Sequence, residues 1–215
     1  DEGTFRLTSA EPNSRWLGMC ARGMQVKIED VSATTGALAL QGPLARDILT
    51  AAGADVSSLK YFRASSNVIR QTPVWISRTG YTGDLGYEIW VDAPHAVKVW
   101  DALTEVGAGY GICPAGIWAL DIARIEAGLI MLDVDYFSVH HALIADQMST
   151  PYEISLGWTV SDTKGPFNGQ DALRAEKARG SAWKFVGLEI DWLSFEKFHQ
   201  ERGLAPHVPN IAWRS

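Results

Sequence analysis

The sequence predicts an α+β fold, on three observations. Alternation of period 2 is clearest where Tyr87, Ile89 and Val91 interleave with Glu88 and Trp90. Apolar stripes of helical period separate such stretches. From residue 37 to 107 the order strand, helix, strand, strand, strand, helix matches a split β-α-β unit of ferredoxin-like type. Antiparallel pairing with helices on one face follows.

Phe5 to Thr8 reads as a short strand. Ala10 to Arg22 reads as a helix, with Glu11, Pro12 and Asn13 near its start. Met24, Val26 and Ile28 alternate with Gln25, Lys27 and Glu29, the pattern of a half-buried strand. Ala37 to Leu40 is an apolar run between Gly36 and Gly42, expected as a strand covered on both faces. Pro43 opens the next helix, whose stripe is Leu44, Ile48 and Ala51 or Ala52, and Gly53 closes it. Tyr61 to Ile69 and Val74 to Arg78 are strands. A helix then carries Ala96, Val99, Trp100 and Leu103 as far as Gly107. From Pro114 another helix places Trp118, Ile122, Ile125 and Leu129 on one expected buried stripe. Composition shifts at Glu153, and Gly157 to Val160 and Lys184 to Trp192 read as strands around a short helix, Gly169 to Arg179.

Composition narrows the function. A chain of 215 residues that is 47% hydrophobic can bury a core, and nine tryptophans imply large buried or ligand-facing aromatic surface. A net charge of −6 argues against nucleic acid as a partner. Cys20 and Cys113 form no C-x-x-C pattern, which suits a reducing compartment. No apolar run approaches the ~20 residues of a membrane span, so no membrane partner is expected. The chain opens on Asp1 inside strand-like text and stops at Ser215 without a closing element, so a fragment of a longer protein is expected.

The stretch most loaded with chemistry is T-G-Y-T-G-D-L-G-Y-E-I-W, residues 79 to 90. Glycine relieves the backbone where φ is positive or where another group comes close. Glu88 and Trp90 share one strand face, and a carboxylate beside an aromatic suits a flat heterocycle with an amidine-like edge. The same residues also read as a twisted hairpin with a surface Glu. Farther on, Arg124 stands one turn from Asp121, either as a solvated surface pair or reaching across to a carboxylate such as Glu88.

T-G-Y-T-G-D-L-G-Y-E-I followed by R-I-E-A-G resembles the aminomethyltransferase family, whose type member is the glycine cleavage T-protein. A-L-A-L-Q-G-P (37–43), T-P-Y-E-I-S-L-G-W (150–158) and F-N-G-Q-D-A-L (167–173) are similar to further segments of that family, in family order. The resemblance implies a tetrahydrofolate-dependent one-carbon transferase with a C-terminal β-barrel. It divides the chain into residues 1–149, an α+β folate-binding region with its ferredoxin-like core at about 37–107, and 150–215, a partial barrel whose exposed edges would pair with a second copy. It implies that Glu88 holds the pterin's amino-pyrimidinone edge, with Tyr81, Arg124 and Trp158 lining or bracing the pocket. The implied partner is a small methyl or aminomethyl donor, or a lipoyl carrier protein, in the cytoplasm or the mitochondrial matrix.

The family's catalytic acid belongs to an N-terminal segment with no match here, so no catalytic residue is assigned, and Asp84 reads as a turn aspartate. The connection from Leu129 to Thr150 is longer than in glycine cleavage proteins and carries D-V-D-Y. A methyl-transferring relative, the folate half of a flavin-dependent dimethylglycine or sarcosine dehydrogenase, or a folate-binding module without transferase activity therefore stay open. His140 and His141 diverge as neighbours, no zinc motif supports them, and no metal is expected.

Overall fold

In the computed structural model, which describes residues 3–205, four strands build one antiparallel sheet. They are β1 (Thr35–Gln41), β2 (Ala64–Ile69), β3 (Thr72–Ser77) and β4 (Gly86–Asp92), in spatial order β1-β4-β3-β2. β4 pairs with β1 along its whole length, Thr35↔Asp92 to Gln41↔Gly86, and with β3 through Trp75↔Trp90, Ile76↔Ile89 and Ser77↔Glu88. The predicted element order holds, but the pairing is not a split β-α-β. β1 and β2 lie at opposite edges with two strands between them, and every neighbouring pair is antiparallel.

One face of the sheet makes the core. Leu40, Val74, Ile76, Tyr87, Ile89 and Val91 pack with residues of α2 (Ala45–Ala51) and α3 (Ala96–Gly107), chiefly Ile48, Leu49, Val99 and Leu103. The alternation read from residues 87 to 91 is thus the alternation of burial. Covering one such side chain contributes about 1.5–3 kcal/mol relative to exposure. The opposite face carries Ala37, Ala39 and Trp75 exposed and Ser77, Glu88 and Trp90 half-buried.

The chain divides into two compact units, Asp1–Met148 and Ser149–Ser215. The first also holds α1 (Ser14–Cys20) and α4 (Ile117–Glu126); the second holds α5 (Gln170–Arg179) and α6 (Trp192–Glu201).

Several expectations are corrected. β1 is an edge strand with one open face, so it is not covered on both. The α2 stripe is Ala45, Ile48, Leu49 and Ala52, while Leu44 is exposed; in α3, Ala102 is buried and Trp100 is not. Residues 5–8 and 24–28 join no ladder among the described residues, because alternation makes a strand only where a partner edge is offered. For the same reason the expected barrel strands do not form: Gly157–Thr159 is a 3-10 turn, and residues 184–191 run without strand partners. On α4 the expected stripe is inverted. Trp118, Ile122 and Ile125 are exposed, and the buried residue is Arg124.

Candidate functional site

The glycine-rich turn leads into β4, and its glycines serve a protein side chain first. Gln41, the last residue of β1, lays its amide across the turn, with Nε2 donating to the Tyr87 carbonyl (3.2 Å) and Thr82 Oγ1 donating to its Oε1 (3.4 Å). A Cβ on Gly80 or Gly86 would fall 1.9 or 1.8 Å from Gln41 Oε1. Gly83 has φ +78°, and a Cβ there would sit 2.5 Å from the Ala127 Cβ just past α4. All three glycines are therefore explained by packing. Asp84 accepts from the Leu85 N–H (2.7 Å), a turn-stabilising contact.

Glu88 projects from the open face of β4, between Ala39 of β1 and Ser77 of β3. Its Oε2 accepts from Thr79 Oγ1, and the Thr79 and Ser77 hydroxyls are 2.8 Å apart. One carboxylate oxygen is thus oriented by the protein, and the group stays half-buried. On the same face Trp90 lies two residues on, with the Arg6 guanidinium 5.8 Å from its ring centre and Trp75 as its cross-strand neighbour. Ala37 and Ala39 leave the adjoining surface low. A carboxylate, two indoles and a flat alanine floor can hold a planar ligand with an N–H-bearing edge.

Tyr81 and Arg124 act together, on another segment. The Tyr81 hydroxyl donates to the Ile130 carbonyl, and burial pushes its pKa up, keeping the phenol a neutral donor. Arg124 Nε donates to Asp121 Oδ1 (2.8 Å), and its Nη1 donates to the Leu129 carbonyl (3.2 Å) and to Asp135 Oδ2. Asp135 Oδ2 also accepts from the Met131 N–H (2.7 Å). The guanidinium is buried, so the solvated surface pair is overturned, and its carboxylates are Asp121 and Asp135, so the expected reach to Glu88 is overturned too. Turn and helix clasp the connection after α4 from two sides.

Trp158 belongs to the second unit and is exposed. The T-P-x-E segment there is a reciprocal turn: Thr150 N–H donates to Glu153 Oε2 (3.0 Å) and Glu153 N–H to Thr150 Oγ1 (3.3 Å). Thr150 Oγ1 also donates to Glu176 on α5 (2.7 Å).

Sequence reasoning missed Gln41, Thr79 and Asp135. Gln41 stood inside a quoted segment, but its partner glycines lie about forty residues on, and nothing local links them. His141 is more than a polar loop residue. Its Nδ1 lies 2.6 Å from Asp133 Oδ2, and Glu11 joins them.

Fold and site together define an α+β protein with a polar and aromatic site on the open face of an antiparallel sheet, beside a glycine turn filled by a glutamine. The GCVT N-terminal domain model matches residues 3–164, and the chain belongs to that family. It is 38% identical over 182 residues to an aminomethyltransferase of Caldanaerobacter subterraneus subsp. tengcongensis, covering 84% of this chain and 46% of the relative. An aminomethyltransferase of Halothermothrix orenii is 39% identical over 154 residues, covering 71% and 41%. Among solved structures, glycine cleavage system aminomethyltransferase T from Bartonella henselae is similar with a TM-score of 0.57 and 28% identity, over 68% of this chain and 37% of that one. The chain spans about half the length of the curated relatives it matches.

Proposed function

We propose that this chain is the folate-holding part of a tetrahydrofolate-dependent one-carbon transferase, moving an aminomethyl or methyl group. The observation that carries the reading is the half-buried Glu88 carboxylate on an open sheet face, oriented by Thr79 and flanked by Trp90. The names of the relatives support it.

When bound, reduced folate supplies the amine that accepts the one-carbon unit. This chain's residues bind and orient it. Glu88 accepts parallel N–H bonds from the amino-pyrimidinone edge, and the Thr79 hydroxyl fixes the carboxylate's rotation. Ala37 and Ala39 make room for the ring, and Trp90 covers one side and excludes water. Tyr81 and Arg124 brace the connection that borders the turn. Asp84 is given no catalytic role, because its carboxylate stabilises its own turn.

The one-carbon donor is a small methylated or aminomethyl compound, delivered on a lipoyl carrier in the glycine-cleavage reading. Residues 1–149 act as the folate-binding region. Residues 157–160 and 184–191 pair as strands of a C-terminal barrel in the whole protein, where Val186, Leu188 and Ile190, exposed here, are covered. In the isolated chain these uncovered segments pair with a second copy.

Calorimetric titration with tetrahydrofolate under reducing conditions tests the proposal. Glu88→Gln is expected to bind roughly tenfold or more weakly, since hydrogen bonds to a charged group are lost. Equal affinity for both proteins would end the assignment.

A further inference from the structure

We propose that Glu11, Asp133 and His141 form a binding site for a first-row divalent cation of the Mn²⁺ or Zn²⁺ kind. Two carboxylates and one imidazole from distant parts of the first unit bring their ligand atoms within 4.8 Å of one another. Glu11 lies in the loop before α1; Asp133 and His141 come from the long connection after α4.

The donors are held by a side chain that is not itself a donor to the cation. Ser138 is 2% exposed, the most covered residue of this connection. Its Oγ lies 2.7 and 2.9 Å from the two oxygens of Glu11, and its N–H donates to Asp133 Oδ1 (2.7 Å). The Asp133 N–H donates to the Tyr136 carbonyl (2.7 Å), fixing the backbone at this residue. With Oδ1 engaged, Asp133 turns Oδ2 toward His141 Nδ1, 2.6 Å away. A hydroxyl has one proton, so Ser138 serves one Glu11 oxygen at a time and the other keeps its lone pairs. This is the outer support that metal ligands need, already in place.

Charge and donor chemistry point the same way. Two carboxylates held this close repel each other, and the His141 imidazole meets only that of Asp133; a divalent cation offsets both. One nitrogen and two oxygens suit Mn²⁺, Zn²⁺ or Co²⁺, whereas Ca²⁺ and Mg²⁺ favour all-oxygen sets and Cu⁺ favours sulfur. Bonds of roughly 2.0–2.2 Å put neighbouring donors about 3–4 Å apart, so small side-chain rotations complete the shell. The cation replaces the proton shared between His141 Nδ1 and Asp133. His141 and Asp133 are exposed, and Glu11 and His141 border the groove between α1 and residues 140–141, leaving open coordination positions. The site lies in the connection whose length departs from glycine cleavage proteins, and a bound cation would tie it to the segment before α1.

The test uses the untagged, chelator-stripped chain titrated with Mn²⁺, which avoids the thiols of Cys20 and Cys113. Binding is followed by calorimetry and by the electron paramagnetic signal of free Mn²⁺. The expected result is one equivalent bound, with His141→Ala and Asp133→Asn each weakening it at least about tenfold. Ser138→Ala should weaken it by roughly tenfold while leaving all three ligands present. His141 is exposed, so its alanine variant keeps the fold, as circular dichroism will check; if Asp133→Asn melts early, His141→Ala alone decides. No stoichiometric uptake, or uptake unchanged in His141→Ala, overturns the site.

Discussion

Gln41 and Gly86 occupy one space: the amide oxygen of Gln41 stands 1.8 Å from where a Cβ on Gly86 would be. The last residue of β1 is thereby locked to the first residue of its partner strand β4, and the two are also paired in register. Nearby lies Thr79, the residue that orients Glu88, whose carbonyl is 3.5 Å from Gln41 Nε2. A glutamine at the end of β1, on the same face as Ala37 and Ala39, thus sets the geometry of the candidate ligand face.

Gly86→Ala should force the Gln41 amide out of its bed. The displaced atom is the far end of a flexible side chain, so the cost is the lost hydrogen bond, about 1 kcal/mol in denaturant unfolding. In a Gln41→Ala background the same substitution should cost much less, and the double-mutant cycle reads the coupling directly.

Gly83→Ala should cost more, roughly 1–3 kcal/mol, because φ is +78° and the obstructing atom is the Ala127 Cβ, which cannot swing away. Urea midpoints of the Gly83 and Gly86 variants, measured together, check the order.

Arg124→Lys should lower the melting temperature far more than Lys27→Ala. Arg124 is buried and bonds Asp121, Asp135 and the Leu129 carbonyl at once, whereas the Lys27–Glu29 pair is surrounded by solvent. A lysine supplies one point charge and cannot span three acceptors in a fixed fork. Equal melting temperatures would show that the clasp is dispensable.

Thr79→Val should keep the fold and weaken tetrahydrofolate binding by roughly tenfold, since it removes the hydroxyl that orients the Glu88 carboxylate. Calorimetry beside Glu88→Gln separates orientation from loss of charge.

The second unit should be acid-sensitive through Glu176. Burial alone would raise its pKa, but the Ser181 (2.6 Å) and Thr150 (2.7 Å) hydroxyls hold it below the ordinary value of 4.5. A carboxyl depressed in the folded state lends stability above its unfolded pKa, and that stability is lost as pH falls through the folded value. Thermal melts from pH 7 to pH 3 should therefore fall more steeply below about pH 4.5 in the parent chain than in Glu176→Gln.

Much of the first unit was legible. Tyr87, Ile89 and Val91 alternate with Glu88 and Trp90 because the strand has one buried and one open face, so the pattern reports burial directly. Helix limits at Gly53 and Gly107 followed from local backbone chemistry. Alternation at 24–28 and 184–190 misled, since period 2 records a tendency and the ladder needs a partner. The helix from Ile117 misled in the opposite direction. Its apolar residues are exposed while its arginine is buried, because Asp121, one turn away and legible in the sequence, is joined by Asp135, eleven residues on, whose arrival no local pattern reports.

The sequence by itself determined the α+β class, the strand carrying Glu88 and Trp90, and the family, because each depends on local periodicity or on short ordered motifs. Tertiary structure decided what the glycines are for, which acids hold Arg124, and that Glu11, Asp133 and His141 meet. Those outcomes depend on side chains that approach through space from separate segments, and the spacing of residues along a chain does not encode that approach.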